Sequence, residues 1–148
     1  MKIKLFLGLL AVWCGSAQAS FKVSEKFLDA LEHVESGRKP NAKGDKIKGD
    51  YYAIGSMQLW EIYVREANRI LKYPVFAPGD RTDPLASREM ARVVLNYWGR
   101  YFERKGVKIT PAVLCSLHRQ PCAGWKAKNM NSKLERGRAK KLLRHMSR

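Results

Sequence analysis

Apolar residues recur along this chain at intervals of three and four, the spacing of one face of an α-helix. Phe27, Leu28, Leu31 and Val34 form the first stripe, and Ser24 just ahead of it suits an N-cap. A second stripe, Leu59, Ile62, Tyr63, Glu66 and Ile70, ends near Lys72, before Tyr73-Pro74. Asp83-Pro84 joins an N-cap to a proline at the first helical position. It opens a long helix to about Lys105, with Met90, Val94, Tyr97, Trp98 and Tyr101 along its stripe and Gly106 as its stop. Thr110-Pro111 repeats the start signal for a short apolar helix over 112–117. A last helix begins at Ser132, with Glu135 completing a capping box, and runs through Leu134, Leu142 and Leu143. No run alternates long enough to predict an extended sheet. The Gly-, Asp- and Tyr-rich stretch 43–53 suits a small β-hairpin. The expected fold is therefore mainly α, with at most that short β element.

The two ends of the chain change this picture. Lys2 and Lys4, an apolar run from Leu5 to Trp13, and Ala17-Gln18-Ala19 before Ser20 read as a secretory leader over 1–19. The run is too short for a membrane span, and Trp13 ahead of Cys14 fits a lipidation box poorly. An exported, periplasmic or secreted protein is expected, with residues 20–148 as one undivided domain. Cleavage removes two of the 29 Lys and Arg residues and none of the 13 acids, so the net charge of +16 falls to +14. Such a field implies an anionic environment. For an exported chain the anionic cell envelope is a better partner than nucleic acid. The densest basic stretch is 126–148, whose bland reading is a solvated helix face.

Cys115 and Cys122, seven positions apart across a Pro-containing turn, are expected to pair in an oxidising compartment; two buried thiols are the alternative. No metal site is expected, because His33, His118 and His145 have no ligand spacing with each other or with the cysteines. No cofactor is implied.

The residue with most chemical promise is Glu35. At ~100° per residue it lies about 50° from the centre of the first stripe, whereas Glu32 lies about 110° away. A carboxyl half withdrawn from water holds its proton more readily, as a general acid must. A solvated glutamate in the last helical turn is the competing reading.

Three segments that follow tip the balance. Glu35-Ser36-Gly37, Pro40-Asn41-Ala42 and Ala53-Ile54-Gly55-Ser56-Met57-Gln58-Leu59, with looser agreement at Leu117-His118 and Gly124-Trp125, resemble the lysozyme-like superfamily, in particular its soluble lytic transglycosylase branch. The resemblance implies a lysozyme-like α-rich domain that cleaves peptidoglycan glycan strands as a monomer, with Glu35 as its one obligatory acid/base. It implies that Met57 and Gln58 belong to a segment lining the saccharide cleft, that Ser36 donates to the glutamate or the sugar, and that His118 stands on the substrate side. The far wall departs from the pattern. Where relatives carry a His-Asn-Gly-Gly-Pro-like stretch, this chain reads His118-Arg119-Gln120-Pro121-Cys122-Ala123-Gly124-Trp125.

Glycoside hydrolysis normally uses two carboxylates, and Asp45 and Asp50 are the candidate partners for Glu35, although Gly-Asp pairs also serve ordinary turns. Without a partner, Glu35 alone can protonate the leaving oxygen and then deprotonate the muramoyl C6 hydroxyl to close a 1,6-anhydro ring. Tyr51, Tyr52, Trp60 and Trp125 lie in or beside the suspected cleft segments, and Tyr52 and Trp125 are the chosen sugar-stacking candidates. Trp98, Tyr101 and Phe102 are assigned to packing. Two other classes stay open: a wall-binding protein that kept the fold without turnover, and a cationic protein that binds membranes or nucleic acid through its basic tail.

Overall fold

Ser24 caps the first helix as its sequence requires: its Oγ accepts the Phe27 N–H at 3.2 Å. The structure, a computed structural model, describes residues 20–47, 51–121 and 133–147. The expected leader, Asp50, Cys122, Trp125 and the Ser132 cap lie outside the described residues, and of Asp45 only the backbone lies within them. Helix α1 (Glu25–Ser36) ends at Gly37, which adopts the left-handed conformation at φ 64° and donates to the His33 carbonyl at 2.9 Å. Its buried face holds Phe27, Leu28 and Leu31 of the expected stripe, joined by Ala30, with Val34 only partly buried.

The hairpin forms where the sequence places it. β1 (Lys43–Ile47) pairs antiparallel with β2 (Tyr51–Ile54), with Ile47 opposite Tyr51, Lys46 opposite Tyr52 and Lys43 opposite Ile54. The register slips between Lys43 and Lys46, so β1 carries one extra residue there, as in a β-bulge. Immediately after β2 the chain closes a tight loop. Ile54 and Leu59 exchange backbone hydrogen bonds of 3.1 and 3.0 Å, with Gly55 at φ 86° and Gln58 at φ 50° between them. Leu59 is thereby held in a β-bridge, and α2 starts later than the periodicity suggests, at Glu61–Leu71. The buried face of α2 is Tyr63, Val64 and Ala67. Ile62, expected on that face, is exposed, because the face that meets the core runs through Tyr63, Val64 and Ala67.

A 3-10 turn over Pro78–Thr82, which the sequence reading did not anticipate, leads into α3 (Pro84–Arg104). The Asp83 carboxylate accepts the N–H groups of Leu85 and Ala86, the expected cap with proline at the first position. α3 buries Met90, Val94, Leu95, Trp98 and Phe102 and packs against α1, α2 and α4 (Pro111–Arg119). Tyr97 is the exception in its expected stripe: it faces outward, beneath the Arg69 guanidinium at 5.2 Å. Thr110 caps α4 through the Val113 N–H. α5 (Lys133–Met146) buries Ala139 and Leu142 and lies across both α1 and α4. Among the described residues the architecture is thus five α-helices around one apolar core, with a two-stranded hairpin.

Two constraints outside the core give testable consequences. At Gly55 a Cβ would run into the Arg81 carbonyl, and the backbone is left-handed besides; at Gly37 the backbone is equally left-handed but the space is open. Gly55→Ala should therefore destabilise by roughly 2–4 kcal/mol, from strain plus overpacking, and Gly37→Ala by only about 1 kcal/mol. Urea denaturation midpoints of the two variants measure the difference.

The second constraint is a charge clamp between α1 and α3. Arg88 reaches Glu25 at 3.0 Å and Asp29 at 2.8 Å, and Arg92 reaches Glu25 at 2.8 Å. Hydrogen bonds from Arg88 and then Arg92 hold the Glu25 carboxyl below its ordinary value of 4.5. A lowered carboxyl stabilises the fold above its unfolded value, and that contribution is lost as the pH falls through the folded value. The gap in Tm between the parent and Glu25→Gln should hence be constant above pH 4.5 and close below it. Thermal melts across that range are the check.

Candidate active site

Glu35 occupies the last turn of α1, and its side chain is only 11 % exposed. It opens onto a cleft of about 470 Å³ lined by Ala42, Lys43, Gly44, Ala53, Gln58, Trp60, His118, Arg119 and Arg138. The hairpin and the closed 55–58 loop make one wall, and the end of α4 and Arg138 from within α5 complete the lining. Among the described lining residues Glu35 is the one carboxylate, set among three cations: Lys43, Arg119 and Arg138. The Arg138 guanidinium stands 3.6 Å from Glu35 Oε1, an ion pair beyond hydrogen-bond length.

The loop beneath Glu35 is held from three sides. Ser36 Oγ donates to the Ser56 carbonyl at 2.7 Å and accepts the Lys39 N–H at 3.1 Å, joining the end of α1 to the loop. Gln58 Nε2 donates to the carbonyls of Ala42 at 3.0 Å and Gly55 at 2.9 Å. Its Oε1 lies against Gly44, where any Cβ would displace it. On the third side, His118 Nε2 bonds the Met57 carbonyl at 2.9 Å while Nδ1 meets the Tyr63 hydroxyl at 3.3 Å. A carbonyl only accepts, so Nε2 carries the proton and Nδ1 receives the phenol's. Burial first, then the Glu66 and Glu35 carboxylates, push the Tyr63 phenol far above its ordinary value, so it remains a donor.

This arrangement corrects several expected roles. Met57 has no exposed surface and packs in the core, so its side chain cannot meet a sugar; only its carbonyl serves the site, through His118. Ser36 donates to the loop and not to Glu35 or the cleft. His118 does border the cleft but is 5 % exposed, and both of its ring nitrogens are engaged by Met57 and Tyr63. Gln58 lines the cleft, although its amide N–H groups brace the loop. Tyr52 lies outside the lining residues, with its ring under Lys43 Nζ at 5.9 Å. Trp60, from the same set of aromatics, does line the cleft.

Arg138 and Lys43 are the residues that sequence reasoning missed as cleft components. The signal for Arg138 was present: it is four residues before Leu142 and adjacent to Ala139, both buried, so it flanks the inward face of α5. Cys115 is buried in α4, and its expected pairing with Cys122 falls outside the described residues. Among the described residues no cluster of His, Cys, Asp and Glu could hold a metal ion, and no helix is long and apolar enough to cross a membrane. Compared with known protein families, characterised proteins and solved structures, the chain matches none.

The buried Tyr63–His118–Met57 chain predicts a structural cost. Tyr63→Phe should leave His118 Nδ1 without its donor in the interior and destabilise by about 1–3 kcal/mol. Chemical denaturation would register this as a lower midpoint with unchanged slope.

Proposed function

We propose that this chain is an exported glycosidase of the lysozyme-like kind that cuts the glycan strands of peptidoglycan, with Glu35 as its acid/base. The observation that carries the reading is a nearly enclosed carboxyl at the end of the first helix, opening into a cleft bounded by a hairpin. Glu35 would protonate the glycosidic oxygen as the bond breaks, and the resulting carboxylate would then take a proton from the incoming nucleophile. With the C6 hydroxyl as nucleophile the product is a 1,6-anhydro sugar, and one proton carrier suffices. With water as nucleophile, Asp45 or Asp50 would supply the second carboxylate. Trp60 offers an aromatic face on which a sugar ring can stack. The exposed cations of α5, among them Arg136, Lys140, Lys141 and Arg144, suit adsorption to an anionic envelope.

One observation favours a second reading. Arg138 stands over Glu35, as it would in a wall-binding protein of the same shape whose carboxyl has become a structural ion-pair partner. Glu35→Gln separates the two readings, because the amide keeps the shape and cannot deliver a proton. In the enzyme it should lower clearance of a cell-wall suspension roughly 10²–10⁴-fold. A parent protein without activity on a peptidoglycan gel, yet retained by the wall, would establish the second reading. Mass analysis of the fragments assigns the chemistry, anhydro ends to transglycosylation and reducing ends to hydrolysis.

A further inference from the structure

The charges in the cleft do not match a neutral sugar chain. Among the described lining residues one carboxylate faces three cations, so this part of the cleft is positive, and walls of low dielectric focus that field on whatever enters. The arrangement of Arg138 is more specific than the sum of charge. Its side chain is one third exposed at 33 %, and its guanidinium reaches Glu35 without closing a hydrogen bond, at 3.6 Å. A guanidinium carries five N–H donors in a planar fork that holds a carboxylate through two parallel bonds, and the ion pair with Glu35 uses none of that geometry. A carboxylate brought into the cleft by a ligand can therefore offer Arg138 a better partner than the one it has. Taking that partner would draw the guanidinium away from Glu35.

Resting on the glycosidase reading above, we infer that the cleft selects a glycan whose sugar unit beside the cleaved linkage carries a free carboxylate, that Arg138 is the residue that recognises it, and that this recognition uncovers Glu35. A neutral chain leaves Arg138 over the acid. Arg138 is thus a specificity-determining residue that acts on the chemistry only through Glu35, while Lys43 and Arg119 flank the same space. In peptidoglycan the muramoyl lactyl group presents such a carboxylate where its stem peptide has been removed and an amide where the peptide is attached, so the preference is for peptide-free strands; a chain of N-acetylglucosamine presents neither group.

The test uses the full chain and two soluble tetrasaccharides of alternating N-acetylglucosamine and N-acetylmuramic acid, one with free lactyl carboxylates and one with these converted to amides. Calorimetric binding should favour the acid about tenfold in the parent, the worth of one partly exposed charge-assisted contact. Arg138→Gln should erase that preference by weakening the acid while leaving the amide unchanged, and in turnover it should raise KM for the acid selectively. Arg138→Lys, which keeps the charge without the fork, should retain only part of the preference. Arg144→Gln removes one charge from the same helix outside the cleft, and should keep the preference whole. If the parent shows no preference for the acid, whether it binds both alike or neither, the inference is overturned; so it is if Arg138→Gln keeps the preference or Arg144→Gln loses it equally. A preference for the acid without any cleavage rejects the glycosidase reading and leaves the recognition by Arg138 standing. Cleavage that needs Glu35 but ignores the carboxylate does the reverse.

Discussion

The loop between Ile54 and Leu59 ties the cleft to the core, and the rest of the site depends on its closure. Its ends exchange two backbone hydrogen bonds, and its first residue fits only as glycine, because the Arg81 backbone occupies the space of a Cβ. Neighbouring elements then attach to it: α1 through Ser36, the residue before β1 through Gln58 on the Ala42 carbonyl, α4 through His118 on the Met57 carbonyl. Ser56, fully buried, adds a contact between its hydroxyl and that of Ser87 on α3 at 3.3 Å. A loop with so many polar groups survives burial because nearly each one meets a partner inside the protein. The side chains that a sugar-binding segment would present to solvent are here the ones that fix the segment in place.

Rigidity of this kind has a consequence for Glu35. Its side chain is only 11 % exposed, so the groups that line the cleft are its immediate surroundings. Its ion-pair partner there is Arg138, from a helix distant in sequence, and the ion pair depends on how α5 lies across α1. Leu142 and Ala139 anchor α5 by burial, which fixes where Arg138 can reach. Apolar packing on one face of α5 thus decides the electrostatics on its flank.

Much of the fold was legible because its signals are local. Ser24, Asp83 and Thr110 cap helices as their types and positions demand, and the 43–53 stretch forms the hairpin. The deviations arise where long-range contacts override periodicity. Leu59 joins a bridge instead of a helix because its backbone pairs with Ile54, and α2 meets the core through Tyr63, Val64 and Ala67 with Ile62 exposed. Glu35, Gln58 and His118 line the cleft toward which the sequence directs them, whereas Met57 is buried in the core and Ser36 bonds the loop. A motif identifies which residues gather near a cleft; it does not say which side of the backbone each side chain takes. In a loop with two left-handed residues, alternation along the chain gives no guide.

The division of charge follows from the same geometry. In the sequence the basic residues near the C-terminus form one undifferentiated run, and a solvated helix face is the economical reading of it. Folding separates them by angle around α5. Arg136, Lys140, Lys141 and Arg144 remain exposed, where interactions with partners are long-ranged and screened by salt. Arg138 turns toward the cleft, where two-thirds of its side chain is covered and a carboxylate partner is already in reach. A contact there is screened less and depends on geometry. On the proposed glycosidase reading, the exposed set would respond to the overall charge of the wall polymer, and Arg138 to the position of a single carboxylate on it.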